Sequence, residues 1–266
     1  MLARVSRLIG VVLFLLPLLL GCARGQAGVT LAGSTSVQPF AEALAEEYMR
    51  AQPGAVINVQ GGGSSAGIQA AISGVAQIGT SSRELKPEEK AQLKPTVIAL
   101  DAIAIVVHPS NPLKDLSLEQ TRRIFAGKVR NWREVGGPDR PVNVVTREEG
   151  SGTRGSFQEL VMGETDIFPG AIVQDSNGAV RQVVSDDPNA VGYISLGLVN
   201  ESVKKITING VMPSTDDVKN GTYKLTRPFL YVVKGTPSAE AQAFIDYTLS
   251  AEGQDLLAAE GLVPAK

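Results

Sequence analysis

The sequence predicts a mixed α/β fold. Three observations carry that expectation. Short apolar runs of strand length alternate with segments whose apolar residues recur at helical spacing. Turns rich in glycine and hydroxyl residues fall at several joints between them. The composition (266 residues, 43% hydrophobic, 20% charged, 5% aromatic) is that of a folded chain with ample core.

In chain order, residues 29–32 read as a strand, and Val37, Phe40, Ala41, Leu44 and Tyr48 then follow a helical period. Residues 56–59 form a second strand, Ile68, Ala71, Ile72 and Val75 mark a second helix, and residues 76–79 a third strand. Residues 97–108 are a long apolar stretch interrupted by Asp101. Ser117 with Gln120 has the spacing of a capping box, so a helix opens there, runs to about Phe125 and stops at Gly127. Residues 142–145 are a strand, followed by a helix holding Phe157, Leu160 and Val161. Residues 171–173 and 191–195 flank a short helix around Val180, Val183 and Val184. Residues 206–208 and 229–233 are further strands, and 239–249 and 254–259 are C-terminal helices. If 97–107 and 229–233 both cross between lobes, residues 29–107 and 228–266 form lobe 1 and residues 108–227 form lobe 2.

With 25 basic and 27 acidic residues the net charge is −2, which argues against a general nucleic-acid binder. One Cys excludes an internal disulfide and a multi-cysteine zinc site. One His excludes a His-rich metal centre, and no cofactor or metal is expected. At the N-terminus, Arg4 and Arg7 precede an apolar run of about 13 residues, short of the ~20 that span a bilayer as a helix. Residues 1–21 therefore read as an export signal. The lone Cys follows directly, in Leu19-Leu20-Gly21-Cys22, which resembles the lipobox of bacterial lipoproteins. Acylated Cys22 would hold the chain on a membrane through a short tether, residues 22–28.

The chemistry lies in three loops: Gly33-Ser34-Thr35-Ser36, Gly61-Gly62-Gly63-Ser64-Ser65-Ala66-Gly67 and Gly150-Ser151-Gly152-Thr153. Each follows an expected strand and opens an expected helix. Helix N-termini carry unpaired N–H groups and partial positive charge, and hydroxyls add rotatable donors. Ser, Thr and Gly are also ordinary caps. Three loops richer in them than capping needs point to an oxyanion site. Thr80-Ser81-Ser82-Arg83 is a fourth candidate, at the end of a strand. Arg147, just before the third loop, suits an oxyanion through its planar fork, or else pairs with a neighbouring Glu. Arg154 sits unfavourably in a first helical turn, and Arg83 reads as paired with Glu84.

These residues carry a resemblance. Residues 33–39, Gly63-Ser64-Ser65, residues 78–83 and Gly150-Ser151-Gly152-Thr153 look like the phosphate-binding proteins of bacterial high-affinity phosphate ABC transporters. So do Asn111-Pro112-Leu113, residues 124–128 with Asn131-Trp132, Gly136-Gly137-Pro138 and Val191-Gly192-Tyr193. The resemblance implies a two-lobed periplasmic-binding-protein type II fold with two crossover hinge strands. It implies a non-enzymatic receptor on the extracytoplasmic face of a bacterial membrane, which captures inorganic phosphate and delivers it to a transmembrane permease. A monomer is expected. Carried over, the binding residues are Thr35, Ser36, Ser65, Arg147, Ser151, Gly152 and Thr153, with Ser36 offering its backbone N–H. Ser82 stands where the family's best-known pattern has an Asp that accepts the phosphate proton; the acceptor here is Ser82, Glu149 or Asp101.

Other readings make different demands. The same fold could take sulfate or molybdate. Gly63-Ser64-Ser65-Ala66-Gly67 matches a nucleophile elbow, which would make Ser65 a hydrolase nucleophile, but the only His is His108, beside Pro109 and out of the expected chain order. The acid pairs Asp186-Asp187 and Asp216-Asp217 read as turn residues. A purely structural lipoprotein would leave the three loops without a role.

Overall fold

The computed structural model describes residues 28–265. The expected leader, Cys22 and nearly all of the tether lie outside the described residues. The chain begins with strand β1 (Val29–Gly33), helix α1 (Gln38–Ala51), β2 (Ile57–Gln60), α2 (Ser64–Ser73), β3 (Ile78–Ser81) and the short α3 (Pro87–Lys90). The long β4 (Lys94–Val107) follows, then β5 (Asp115–Leu116), α4 (Leu118–Phe125), β6 (Asn143–Arg147), α5 (Gly152–Phe157), β7 (Ile172–Gln174), α6 (Asn177–Asp186) and β8 (Ala190–Ser195). The remainder is β9 (Lys204–Lys205), β10 (Thr207–Ile208), α7 (Thr215–Lys219), β11 (Thr226–Val233), α8 (Ala239–Thr248), α9 (Ala251–Ala259) and β12 (Val263–Pro264).

The strands order as β2-β1-β3-β11-β4-β8-β6-β7, and β4 organises this path. Its first part, through Ala102, pairs antiparallel with β11; from Ile103 to Val107 it pairs antiparallel with β8. One uninterrupted strand thus belongs to two sheets, one per lobe. A second crossing lies beside it, where the Ile103 N–H donates to the Leu225 carbonyl at 2.8 Å just before β11 begins.

Each lobe has its own core. In the first, Leu31, Ile78, Phe229 and Tyr231 of the sheet meet Phe40 and Leu44 of α1 and Phe244 of α8. In the second, Phe157 stacks on Tyr193 at 4.0 Å and meets Phe125 edge-on at 4.6 Å, with Trp132 buried nearby. Helix α2 lies unusually close to its sheet. A Cβ on Gly67 would stand 2.3 Å from the Ala32 carbonyl oxygen, so only glycine allows this approach, which draws the N-terminus of α2 down to the strand ends.

The capping box at Ser117 forms as its spacing predicts: Ser117 Oγ accepts from Gln120 N at 3.0 Å and Gln120 Oε1 from Ser117 N at 2.8 Å. The helix expected through Phe157, Leu160 and Val161 differs. Helix α5 ends at Phe157 and a single π-turn carries Gln158–Met162, closed by Gly163 N donating to the Gln158 carbonyl at 2.7 Å. The wider turn brings both Val161 and Met162 round to the buried side with Phe157, which a regular α-turn would not do for both. Short α3 and α7 and the two-residue strands are too brief to leave a periodic signal. No helix among the described residues is long and apolar enough to cross a membrane.

Candidate functional site

The three loops and the end of β3 meet between the lobes. From the first lobe, the turn after β1 places Ser34, Thr35 and Ser36. Ser34 N donates to Thr80 Oγ1 (2.8 Å) and Ser34 Oγ donates to Ser82 Oγ (2.8 Å), which ties β1 to the end of β3. Gly63, at φ +92°, turns the chain into α2 and buries Ser64, whose Oγ accepts from Ser82 N at 3.1 Å. From the second lobe, the turn after β6 lays Gly152 onto this cluster: a Cβ there would come within 2.1 Å of Ser64 Oγ and 2.5 Å of Ser82 Oγ. Ser156 Oγ adds a bond to the Ser82 carbonyl at 3.1 Å.

Arg147 ends β6 and is 1% exposed. Thr146 and Tyr193 prop it: the Tyr193 hydroxyl lies 2.7 Å from Thr146 Oγ1 and accepts from Arg147 N at 3.3 Å. The guanidinium makes a two-point pair with Glu148 (3.0 and 2.9 Å), donates to the carbonyls of Gln174 and Asp175, and reaches across to Thr35 Oγ1 at 3.0 Å. Its Nη1, buried, has no protein partner. Arg147 therefore does pair with a neighbouring Glu, from a buried position to a half-buried Glu148, and Nη1 is left unspent.

Thr153 meets Ser36 hydroxyl to hydroxyl at 2.7 Å, again across the lobes. Ser36 N donates to Ser34 Oγ at 3.2 Å, so the Ser36 backbone group closes its own turn and the side chain faces the second lobe. Ser151 Oγ accepts from Arg154 N at 3.2 Å, serving as the cap of α5. Ser65 lies apart from the hydroxyl cluster. Its N–H donates to the Gly150 carbonyl at 3.1 Å and its Oγ accepts from Arg83 at 3.4 Å, while Ser64 occupies the interior. Arg83 is buried and held by Glu89 (2.8 and 2.9 Å) rather than by the Glu84 carboxylate, and this lowers the Glu89 carboxyl below its ordinary range, chiefly through the Arg83 hydrogen bond. Arg154 donates to the Arg147 carbonyl at 3.0 Å, and Glu149 is exposed.

Beneath the site lies a pair the sequence reading did not join. Arg227, at the start of β11, donates to Asp101 Oδ2 of β4 from Nε (3.0 Å) and Nη2 (2.9 Å), and to the Ser82 carbonyl from Nη1 (3.2 Å). Both side chains are essentially unexposed. Burial pushes the Asp101 carboxyl up and the Arg227 guanidinium opposes that shift. Arg227 is pushed down by the same burial. Asn177, at the start of α6, donates to Ser36 Oγ at 2.9 Å.

The arrangement is a buried, donor-rich cluster at the lobe junction: hydroxyls from both lobes in direct contact and a buried guanidinium with a free N–H, in surroundings where such bonds strengthen. It suits a compact oxyanion. It offers no acid–base pair: His108 lies past the end of β4 in an exposed turn, its Nδ1 engaged by Ser110. Among the described residues no group of three or more His, Cys, Asp and Glu is placed to hold a metal ion.

Comparison with known proteins gives a consistent result. Residues 21–252 match the model of the PBP superfamily domain. The chain is 32% identical over 246 residues to the phosphate-binding protein PstS of Bacillus subtilis, covering 91% of this chain and 82% of that one. A crystal structure with bound phosphate, of a protein from Clostridium perfringens described as a phosphate ABC transporter substrate-binding protein, shares 44% identity with a TM-score of 0.88, over 90% of this chain and all of the other. An ABC-type phosphate transport receptor from Vibrio cholerae shares 39% identity with a TM-score of 0.75, over 88% of this chain and 99% of the other. Sequence, fold and the meeting of the hydroxyl loops agree: the chain belongs to the PBP superfamily and, within it, to the family of phosphate-binding proteins named PstS.

Proposed function

We propose that this protein is an extracytoplasmic receptor that captures inorganic phosphate between its lobes and delivers it to an ABC permease. The observation that carries this reading is the buried Arg147 guanidinium with an unpartnered Nη1, set among Thr35, Ser36, Ser64, Ser82 and Thr153 from both lobes. A guanidinium is costly to bury unless its donors are used, and a tetrahedral anion uses them. The binding set is Thr35, Ser36, Ser82, Arg147, Gly152 and Thr153, with Ser64 in the interior position expected of Ser65 and with the Ser151 hydroxyl capping α5. Of the three candidate acceptors for the phosphate proton, Glu149 is exposed, and Asp101 lies beneath the site with Oδ2 held by Arg227 and Oδ1 buried without a partner; we assign the role to Ser82, whose Oγ is part of the hydroxyl cluster.

The strand pairing supports a division at Ala102/Ile103 and Leu225/Thr226, a few residues from the boundaries read from sequence. The monomeric state and a lipid anchor at Cys22 belong to the same proposal. Titration calorimetry tests the central point. Phosphate binds with a saturable signal and sulfate does not compete; equal affinity for both anions would defeat the phosphate assignment in favour of a general oxyanion receptor.

A further inference from the structure

The hydrogen bonds around Ser36 have a direction, and it is set from outside the binding loops. A serine hydroxyl has one proton and two lone pairs. Ser195 N donates to Asn177 Oδ1 at 3.1 Å, which fixes the amide so that its NH2 end faces Ser36. Asn177 Nδ2 then donates to Ser36 Oγ at 2.9 Å, and Arg227 Nη2 reaches the same oxygen at 3.4 Å. Neither group can accept a bond at those atoms. With both lone pairs approached by donors, the Ser36 proton is left one outlet, Thr153 Oγ1 at 2.7 Å. Thr153, having accepted there, keeps its own proton for a different partner.

We propose that Asn177, supported by Arg227, is a positioning residue for anion recognition: it orients the Ser36–Thr153 hydroxyl pair so that Thr153 acts toward the bound anion only as a donor. This rests on the reading that the site holds inorganic phosphate. Asp101 holds Arg227 in register for its part, and the Asn177 contact joins the second lobe to the first. A donor-only Thr153 receives an unprotonated oxygen. The protonated oxygen of phosphate is thereby directed to another acceptor: Ser82 Oγ accepts one bond, from Ser34, and keeps a lone pair when its own proton points to Ser64 Oγ at 3.4 Å.

The test is titration calorimetry with inorganic phosphate on the full chain, with thermal melting in phosphate-free buffer alongside. The proteins are the parent, Asn177→Ala, Asn177→Asp, Ser36→Ala and the Ser36→Ala/Asn177→Ala double variant. Asn177→Asp keeps the acceptor for Ser195 N but puts a charged acceptor against Ser36, so its loss combines relay reversal with repulsion of the anion; the Ser36→Ala/Asn177→Ala double variant, which adds no charge, isolates the relay. The expected result is about tenfold weaker binding for Asn177→Ala, the size of one lost hydrogen bond. Asn177→Asp, which reverses the direction of the relay, binds more weakly still. In the Ser36→Ala background, Asn177→Ala costs less than about twofold, because the group it orients is gone. An Asn177 variant that binds phosphate like the parent, or an Asn177→Ala loss of the same factor with and without Ser36, overturns the inference while leaving the phosphate reading intact. A parent protein that ignores phosphate overturns both.

Discussion

At Gly152 the second lobe lies tight against the first, and one methyl group there should separate affinity from stability. A Cβ on Gly152 would stand 2.1 Å from Ser64 Oγ, 2.5 Å from Ser82 Oγ and 2.9 Å from Ser64 Cβ. Ordinary contact begins at 3.4 Å, so the worst clash asks for a retreat of about 1.3 Å. Rotating the Ser64 hydroxyl away does not suffice, because Ser64 Cβ and the Ser34-bonded Ser82 hydroxyl remain in the way. Overpacking of this kind costs about 1–3 kcal/mol. If the contact exists only with the lobes closed, that energy appears in binding, as roughly 5- to 150-fold weaker phosphate affinity. The ligand-free protein should melt at the parent temperature, since Gly152, the first residue of α5, has no need of positive φ. Calorimetry with phosphate, paired with melting in its absence, reads both quantities. Parent-like affinity refutes the closed-state contact, and a depressed ligand-free melting temperature refutes its restriction to the closed state.

Three further predictions follow from the same geometry. We predict that Arg147→Ala weakens phosphate binding by more than ~1.5 kcal/mol, the low end for a hydrogen bond to a charged group; unchanged affinity by calorimetry removes Arg147 from the site. The Glu89 carboxyl is lowered in the fold by its bond from Arg83, so the pair stabilises fully above the ordinary Glu value of 4.5 and loses that contribution as pH falls through the lowered folded value. Glu89→Gln should therefore be less stable than the parent at pH 7, with the gap narrowing as the pH is taken progressively below 4.5, and denaturant titrations showing a constant gap on acidification contradict the assignment. Cys22→Ser should move the protein from the membrane fraction to the soluble one, and continued sedimentation with membranes shows that the anchor lies elsewhere.

Much of this site could be read from the chain because its parts are local. Each Gly/Ser turn announces itself between an apolar strand and a helical period, and Arg147 sits at a fixed offset before one of them. What the sequence concealed is pairing over distance. Ser64 and Ser65 are adjacent and chemically alike, and only the close seating of α2 on β1 through Gly67 decides which one turns inward. Asn177 looks like a helix-start residue after the Ser176 cap, and its second task depends on Ser36, 141 positions away. For Asp101 and Arg227 a signal existed: each is a lone charge at an apolar stretch expected to cross between lobes, of opposite sign to the other. Burial makes such charges find each other, since an unpaired one is too costly. The π-turn after α5 escaped because one extra residue per turn is invisible to a 3.6-residue period.

The dual membership of β4 constrains how this receptor can move. A linker of loose residues lets two bodies swing through a wide arc and take many orientations. Here the connection at Ala102/Ile103 is a hydrogen-bonded ribbon, clamped at Asp101 by Arg227. Such a ribbon yields as a leaf spring does, by spreading bend and twist over several peptide units rather than swivelling at one bond.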